Sequence, residues 1–331
     1  MEKNKSHINK RIALSEKTVV IIGASSGIGR ATALAFAKEG STLILVARRE
    51  TVLQELALEC KRDGAHRAVP VCADVTDAES LQQVVEAAMQ ATGKIDVWIN
   101  NAGIGAVGDF DVIPLKVHQQ VINTSLIGHF NGTYTVLPIF KQQGYGVIIN
   151  TISVGAWVPE PYAVSYTASK YGLRGFSESL RCELRHWPGI SICDVFPSYI
   201  DTPGFQHGAN YTGRKLKPVP PVFSASLVAD TMVDLARNPR NSATIGPANL
   251  YRLLNVMSPA LFRTVLAGIM ENYFKRAKPT PISDGHVFES SPNGTGVSGG
   301  WLPVDHGNAK PLVLTALLAT AGAVLLARKL F

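Results

Sequence analysis

Short runs of valine, isoleucine and leucine alternate with helical patterns along most of this chain. The apolar runs predict six strands, at residues 18–22, 43–46, 68–72, 95–99, 147–152 and 190–196. Strands that are apolar on both faces are typical of parallel sheets that helices cover on both sides. The sequence therefore predicts an α/β fold built on a doubly wound parallel sheet.

A glycine-rich turn follows the first predicted strand directly. Its sequence, Gly23-Ala-Ser-Ser-Gly27-Ile-Gly29, opens a predicted helix at residues 27–38. Glycine allows the backbone to turn tightly and to approach a pyrophosphate, whose charge meets the amide groups at the start of the helix. Such a turn between a strand and a helix is typical of Rossmann-type dinucleotide sites. The predicted contacts are Gly23, Ser25, Ser26, Gly27, Ile28 and Gly29.

Tyr166 and Lys170 lie four residues apart in a predicted helix, so their side chains project from the same face. A phenol has an ordinary pKa of about 10, and a nearby ammonium group favours its ionised form. We therefore expect Lys170 to lower the pKa of Tyr166. Ser153 follows a predicted strand, where its hydroxyl can hold a carbonyl oxygen. Together the three residues predict a site that interconverts a carbonyl and an alcohol.

In the order and spacing of these motifs, the chain resembles the short-chain dehydrogenase/reductase family over about residues 17–247. The resemblance implies that Ser153, Tyr166 and Lys170 are catalytic and that Lys170 also binds the nicotinamide ribose. It further implies that Asn123 links the lysine to solvent through water. The other implied cofactor contacts are Asp74 and Val75 at the adenine, Asn101, Ala102 and Gly103 along the cleft, Tyr166 and Lys170, and Pro197 and Thr202 near the nicotinamide.

The residues after the second predicted strand bear on the choice of dinucleotide. A carboxylate there binds the ribose hydroxyls and repels a 2′-phosphate, whereas a cation attracts that phosphate. The chain has Arg48 and Arg49 and no acidic residue before Glu50. Because a guanidinium binds phosphate well, we predict NADP(H) rather than NAD(H), with Arg48 as the main contact. The alternative is that these arginines only solvate the start of a helix.

Composition divides the chain into five parts. A basic arm (1–16) precedes the catalytic domain (17–247), and helical periodicity continues through an extension (248–278). Residues 279–311, rich in glycine, proline and serine, predict a linker or a weakly ordered arm. Residues 312–331 are almost entirely apolar, with charges only near the end. A helix without a polar face predicts a membrane anchor, and burial in a groove or a dimer interface is the alternative.

The net charge of +7 is spread along the chain without basic clusters interleaved with aromatic residues, so we expect no nucleic-acid partner. The cysteines form no C-x-x-C pair and the histidines show no ligand spacing, so we expect no metal. The first 17 residues have no apolar core, which argues against a secretory signal. We therefore expect a catalytic domain in the cytoplasm, associated with a membrane if the C-terminal segment binds lipid.

These features favour an NADP(H)-dependent oxidoreductase that acts on a small-molecule carbonyl or secondary alcohol. Aromatic and apolar residues in a predicted lid, residues 198–223, suit a lipophilic substrate. Two alternatives stay open: an isomerase or epimerase that returns the hydride to its substrate, and a non-catalytic NADP(H)-binding scaffold at a membrane. The complete set of serine, tyrosine and lysine argues against the scaffold. The resemblance also implies a homodimer or homotetramer, formed through the long helices after the fourth and fifth strands.

Overall fold

The computed structural model describes residues 13–291 and 293–303. Within these residues, no helix is both long enough and apolar enough to cross a membrane. The hydrophobic segment at 312–331, with its predicted membrane anchor, lies outside the described residues, as does most of the predicted arm at 1–16. Membrane association therefore stays a prediction from the sequence.

A parallel sheet of seven strands forms the centre of the described structure. The strands in chain order are β1 (Thr18–Ile22), β2 (Thr42–Ala47), β3 (Arg67–Cys72), β4 (Val97–Asn100), β5 (Ala106–Val107), β6 (Gly146–Thr151), β7 (Ile190–Pro197), β8 (Tyr199–Asp201), β9 (Ala209–Asn210), β10 (Val222–Ser224) and β11 (Ser242–Ile245). The order in the sheet is β11-β7-β6-β4-β1-β2-β3, and every neighbouring pair is parallel. The chain runs outward from β1 to β3 and then returns to β4, which opens a crevice at the carboxyl ends of β1 and β4. The predicted doubly wound α/β fold is confirmed.

Helices cover both faces of this sheet. They are α1 (Gly27–Lys38), α2 (Glu50–Arg62), α3 (Ala78–Thr92), α4 (Leu115–Ile122), α5 (Gly128–Gln143), α6 (Val164–Glu183), α7 (Gly204–His207), α8 (Ala225–Arg237), α9 (Ala248–Met257) and α10 (Pro259–Arg276). Because side chains alternate along a strand, Val19 and Ile21 pack against α1, α2 and α8. Val20 and Ile22 pack against α3, α5 and α6 on the opposite face. Burial on both faces explains the uninterrupted apolar runs.

The last two helices, α9 and α10, lie in the predicted helical extension and pack over the loop that follows β6. Ala248 and Phe262 join Trp157 of that loop in one apolar cluster. The Arg252 guanidinium lies 5.3 Å from the centroid of the Trp157 ring, and the Asn255 amide donates a hydrogen bond to the Trp157 carbonyl at 3.0 Å. The extension therefore supports one wall of the cleft described below.

The C-terminal strap, which we define as residues 279–291 and 293–303, contains no helix or strand but packs along the sheet edge that carries the cleft. The sequence indicates a linker or a weakly ordered arm here. In the structure, Val287 is 1% exposed within an apolar cluster, and Val297 packs against the main core. Asp201 accepts a hydrogen bond from the backbone N–H of Trp301 at 2.9 Å. The composition of this segment agrees with its lack of helices and strands. It does not reveal the long-range contacts that hold the strap against the rest of the chain.

Candidate active site

A continuous cleft lies at the carboxyl ends of the central strands. It contains two cavities, of about 240 Å³ and about 270 Å³, that share Asn101, Gly103 and Thr202 among their lining residues. The first cavity lies beside the ends of β1 and β2, and the second lies beside the end of β6 and the start of α6. Ligands of open α/β sheets bind in this kind of crevice.

The glycine-rich turn forms one wall of the first cavity. Gly23 has a φ of +82°, and a Cβ at this position would lie 2.8 Å from the Cα of Ala102. A Cβ on Gly29 would lie 2.1 Å from the carbonyl oxygen of Gly23. These short distances leave no room for a side chain at either position. Gly29 does not line the cavity itself, so its effect is on the shape of the turn. The predicted contacts that do line it are Gly23, Ser25, Ser26, Gly27, Ile28, Arg48, Asp74, Val75, Asn101, Ala102, Gly103 and Thr202.

Arg48 lies where the sequence predicts it, at the end of the first cavity after β2. Its guanidinium donates hydrogen bonds to the carbonyl oxygens of His286 and Phe288 in the C-terminal strap, each at 3.1 Å. It also lies 3.8 Å from the carboxylate of Asp74. The side chain therefore lies at the cleft, but two of its N–H groups are hydrogen-bonded to carbonyl oxygens of the strap.

Arg49 is a second cation in this cavity, and the sequence analysis assigned it no contact. Its guanidinium donates hydrogen bonds to Ser25 Oγ at 2.8 Å and to the Ser291 carbonyl of the strap at 3.1 Å. Burial, followed by repulsion from Arg48 and Arg30, lowers the pKa of Arg49. A role for Arg49 could have been predicted from the pair of arginines, because both residues directly follow a strand that ends at the crevice.

Ser153, Tyr166 and Lys170 line the second cavity together, as does Pro197. Ser153 follows β6, whereas Tyr166 and Lys170 are one turn apart on α6. The Lys170 Nζ atom donates a hydrogen bond to the Thr151 carbonyl at 3.0 Å and lies 5.5 Å from the centroid of the Tyr166 ring. The structure thus brings the predicted serine, tyrosine and lysine to one place.

Burial dominates the protonation of these groups. It raises the pKa of Tyr166, which the charge of Glu160 raises further, whereas a hydrogen bond with Ser153 lowers it. Burial also lowers the pKa of Lys170 to about 8, with Glu160 acting in the opposite direction. The structure does not bear out the expected lowering of the Tyr166 pKa, because the net shift is upward and burial of the phenol is its largest cause. The Lys170 ammonium is not among the groups that shift this pKa, and it donates its hydrogen bond to the Thr151 carbonyl.

Asn123 does not lie where its implied role requires. It is exposed, at the start of a π-helical turn, Asn123–Ile127, that joins α4 to α5. Successive residues of a helix differ in direction by about 100°, so a residue two positions further on faces the opposite side. That residue is Ser125, which is fully buried. The structure therefore corrects the role implied for Asn123, because Asn123 does not face the site.

Ser125 occupies the side of the turn that faces the site. Its hydroxyl accepts a hydrogen bond from the Ile104 N–H at 2.9 Å and donates one to the Ile104 carbonyl at 2.7 Å. The Oγ of Ser125 and the Nζ of Lys170 each lie 3.7 Å from the point where a Cβ on Gly103 would begin. Ser125 therefore ties the π-helical turn to the segment after β4, next to the lysine.

Glu160 is an acidic residue of the second cavity that the sequence analysis missed. It lies in the loop between Ser153 and α6. Burial raises the pKa of its carboxyl to about 7, and Lys170 opposes that shift. Its signal in the sequence was a single acidic residue within the apolar stretch from Trp157 to Ala163.

Comparison with known proteins identifies the family. A family model described as short chain dehydrogenase matches residues 17–210. This chain belongs to the short-chain dehydrogenase family. The predicted resemblance is therefore confirmed, and with it membership of an oxidoreductase family that has an NAD(P)-binding, Rossmann-type fold.

Individual relatives share much of the chain. Ketoacyl reductase HetN of Nostoc sp. is 30% identical over 287 residues, which cover 84% of this chain and 98% of HetN. The uncharacterized oxidoreductase YxnA of Bacillus subtilis is 27% identical over 317 residues, which cover 92% of this chain and 89% of YxnA. An alcohol dehydrogenase from the archaeon Thermococcus sibiricus, solved in complex with 5-hydroxy-NADP, is 25% identical with a TM-score of 0.60. That match covers 69% of this chain and 95% of the other.

Proposed function

We propose that this chain is an NADP(H)-dependent oxidoreductase that transfers a hydride between the nicotinamide and a carbonyl or secondary alcohol. The observation that carries the proposal is the position of Ser153, Tyr166 and Lys170 in a cavity that continues into the glycine-rich turn. A proton donor and a dinucleotide-binding turn therefore share one cleft. The ketoacyl reductase and the alcohol dehydrogenase among its relatives support chemistry at a carbonyl or an alcohol.

The residues of the cleft fit a nicotinamide dinucleotide. Glycines at positions 23 and 27 leave the turn between β1 and α1 without side chains at those two positions, and a pyrophosphate is favoured at the start of a helix. Arg48 and Arg49 supply two positive charges at one end of the cavity. In a short-chain dehydrogenase, a cation after β2 favours the 2′-phosphate of NADP(H). These charges support the choice of NADP(H) over NAD(H).

In the proposed reaction, the dinucleotide supplies the hydride when it is bound. Ser153 holds the carbonyl oxygen through its hydroxyl. Tyr166, whose raised pKa keeps it protonated at neutral pH, donates its proton to that oxygen. Lys170, which is charged below a pKa of about 8, stabilises the phenolate that remains. A protonated tyrosine supports reduction as the direction for which the site is prepared.

Replacing Tyr166 with phenylalanine tests this assignment. Loss of the proton donor should lower the turnover of a carbonyl substrate by at least about a hundredfold, because general acid catalysis contributes about that much. The dissociation constant for NADPH should stay within about twofold. NADPH oxidation with a panel of ketones and aldehydes measures the first, and fluorescence titration measures the second. Tyr145→Phe, which alters a tyrosine outside the cleft that is 39% exposed, is the matched control.

Full activity of Tyr166→Phe would show that Tyr166 is not the proton donor and would contradict the proposed mechanism. The same assay separates oxidoreductase from isomerase chemistry, because only the oxidoreductase consumes NADPH in net amounts. Retained NADPH binding without turnover of any carbonyl would instead favour a dinucleotide-binding scaffold.

The second cavity supports a lipophilic carbonyl substrate. Its walls include the apolar or aromatic side chains of Ile104, Val154, Tyr199, Phe205 and Leu216. Three of these five lie in the predicted lid, residues 198–223. Activity that rises along a series of ketones of increasing chain length would agree with this choice, and a preference for the shortest member would contradict it.

Apolar side chains on the outside of α5 and α6 support a homodimer or homotetramer. Tyr134 of α5 is 81% exposed and Phe130 of the same helix is 41% exposed, while Tyr171 of α6 is 40% exposed. Large apolar side chains on two adjacent helices are typical of a surface that a second subunit covers. We therefore propose that these helices form the subunit interface.

A further inference from the structure

The carboxyl group of Glu160 lies beside the catalytic serine. A Cβ on Gly155 would lie 2.7 Å from Glu160 Oε1 and 3.4 Å from Ser153 Oγ. Both oxygens therefore border the small space that the glycine leaves free. Glu160 also lines the cavity that holds Tyr166 and Lys170. Any molecule whose reacting oxygen contacts Ser153 is consequently close to this carboxyl.

The Glu160 carboxyl makes no hydrogen bond within the described residues, and its one favourable charge interaction is with Lys170. The hydrogen bonds that the structure shows for Glu160 involve its backbone, which pairs with the hydroxyl of Thr167. Its burial is reflected in a pKa raised to about 7. The side chain is half-buried and faces the cavity. A bound substrate would cover it further, and a hydroxyl of that substrate would then replace the hydrogen bonds that water makes to the carboxyl.

We propose that Glu160 accepts a hydrogen bond from a hydroxyl group of the substrate, so that the preferred substrate is a hydroxy-carbonyl compound. This inference rests on the proposed oxidoreductase function and names its substrate class. A hydroxyl on the carbon next to the carbonyl reaches the carboxyl while the carbonyl oxygen contacts Ser153. The surrounding apolar walls admit the rest of a lipophilic molecule.

The charges in the cavity select against charged substrates. The Lys170 ammonium shares the cavity with Glu160 and disfavours a substrate that carries its own ammonium group. The Glu160 carboxylate disfavours a substrate that carries a carboxylate near the carbonyl. A neutral hydroxyl meets neither repulsion and satisfies the acceptor. Hydroxyl and ammonium donors share the same hydrogen-bond chemistry, so the test below includes both.

The experiment compares four aromatic ketones with NADPH: acetophenone, α-hydroxyacetophenone, α-aminoacetophenone and benzoylformate. For the natural chain, kcat/KM should be about tenfold higher for the hydroxy ketone than for acetophenone, as one hydrogen bond to a charged group allows. In Glu160→Met, that ratio should fall to about one, whatever the change in the absolute rate with acetophenone. Glu183→Met, which alters an exposed glutamate at the end of α6, is the control and should keep the natural ratio.

Equal use of the hydroxy ketone and acetophenone by the natural chain would overturn the inference and leave the oxidoreductase function standing. A preference for the amino ketone or for benzoylformate would overturn the choice of a neutral hydroxyl. A ratio that survives in Glu160→Met would show that another residue reads the hydroxyl. Absence of NADPH consumption with every ketone would count against the proposed function itself.

The C-terminal strap accepts hydrogen bonds from N–H groups that border the first cavity. The Gly27 N–H, at the start of α1, donates a hydrogen bond to the Gly296 carbonyl of the strap at 2.9 Å. Arg48 donates to the Phe288 carbonyl and Arg49 to the Ser291 carbonyl, as described above. A helix N–H and two guanidinium groups are the donors that the phosphates of a dinucleotide need. The strap and a dinucleotide therefore compete for the same groups.

We infer that dinucleotide binding releases the middle of the strap, at residues 288–291 and 293–296, while its two ends stay in place. Val287, which is 1% exposed, and Val297, which packs against the main core, hold the ends of this loop. Asp201 fixes the chain beyond it through the N–H groups of Gly299 and Trp301, each at 2.9 Å. Because this inference rests on the proposed cofactor, binding and release must be measured in the same sample.

Hydrogen–deuterium exchange of the full chain tests the release. With saturating NADPH, peptides from the middle of the strap should exchange at least about tenfold faster, while peptides from β1 to β4 exchange no faster. NADPH binding, followed by fluorescence in the same sample, serves as the control. Binding with unchanged or slower exchange of the middle of the strap would overturn the inference alone. Failure of NADPH and NADH to bind would overturn the proposed cofactor together with it.

Discussion

Replacing Arg48 with glutamine tests the preference for NADP(H), because it removes the positive charge and keeps a polar side chain. In the structure, the guanidinium makes two hydrogen bonds to neutral carbonyls, those of His286 and Phe288. Binding to a 2′-phosphate exchanges these for two hydrogen bonds to a charged group. The expected effect is the difference between the two pairs.

The magnitude follows from the energy of a charge–charge interaction. The donor is charged in both pairs, so the difference lies in the acceptor. A phosphate anion adds an ionic attraction that a carbonyl lacks, about 4 kcal/mol for two unit charges about 4 Å apart near a protein surface, and we take about half of this after screening. A net of about 2 kcal/mol corresponds to about a thirtyfold change in the dissociation constant. Arg48→Gln should therefore bind NADPH about thirtyfold more weakly, while its affinity for NADH changes by less than about twofold.

Fluorescence titration and calorimetry measure both dissociation constants on the natural chain and the variant. Arg174→Gln is the matched control, because Arg174 forms an ion pair on the surface of α6 with Glu178, at 2.8 Å. Combining Arg48→Gln with Arg49→Gln should weaken NADPH binding further. An unchanged NADPH constant, or an equal loss for NADPH and NADH, would refute the assignment of a 2′-phosphate to this arginine.

Three further predictions concern stability and assembly. Ser125→Ala should lower the free energy of unfolding by about 1–3 kcal/mol, because two buried hydrogen bonds are lost, whereas Asn123→Ala should change it by less than about 0.5 kcal/mol; thermal unfolding compares them. Because the pKa of Glu160, about 7, lies above its ordinary value of 4.5, the folded chain loses stability as pH rises through that window. Glu160→Gln should therefore stabilise the chain more at pH 8 than at pH 5, by up to about 3 kcal/mol, and an equal effect at both pH values would contradict the shift. Tyr134→Lys should shift the oligomer towards monomer in light scattering, and an unchanged mass would contradict the proposed interface.

The strands that the sequence revealed are those buried on both faces. β1 and β2 read as unbroken apolar runs because each face packs against a helical layer. The edge strand β11, Ser242–Ile245, escaped notice because two of its four residues are polar and only Ile245 is buried. Short edge strands of this kind are defined by their pairing partner, here β7, and not by their own composition.

The site could be predicted where spacing along one helix decides the geometry, as it does for Tyr166 and Lys170. The difference between Asn123 and Ser125 could not be predicted, because a π-helical turn changes which residue faces the cleft and leaves no simple periodicity. The contacts of the strap were also out of reach. Arg48 and His286 are 238 residues apart in sequence, and their hydrogen bond joins a side chain to a carbonyl that every residue carries.

The attachment of Trp301 has a consequence for the surroundings of the cleft. Its indole N–H donates a hydrogen bond to the carbonyl of Thr202, a residue that borders both cavities, at 3.0 Å. The polypeptide thus passes the rim of the cleft, at Thr202, just before residue 303. Trp301 therefore holds the chain at the rim of the cleft, and a change in this attachment would alter the opening through which a molecule reaches both cavities.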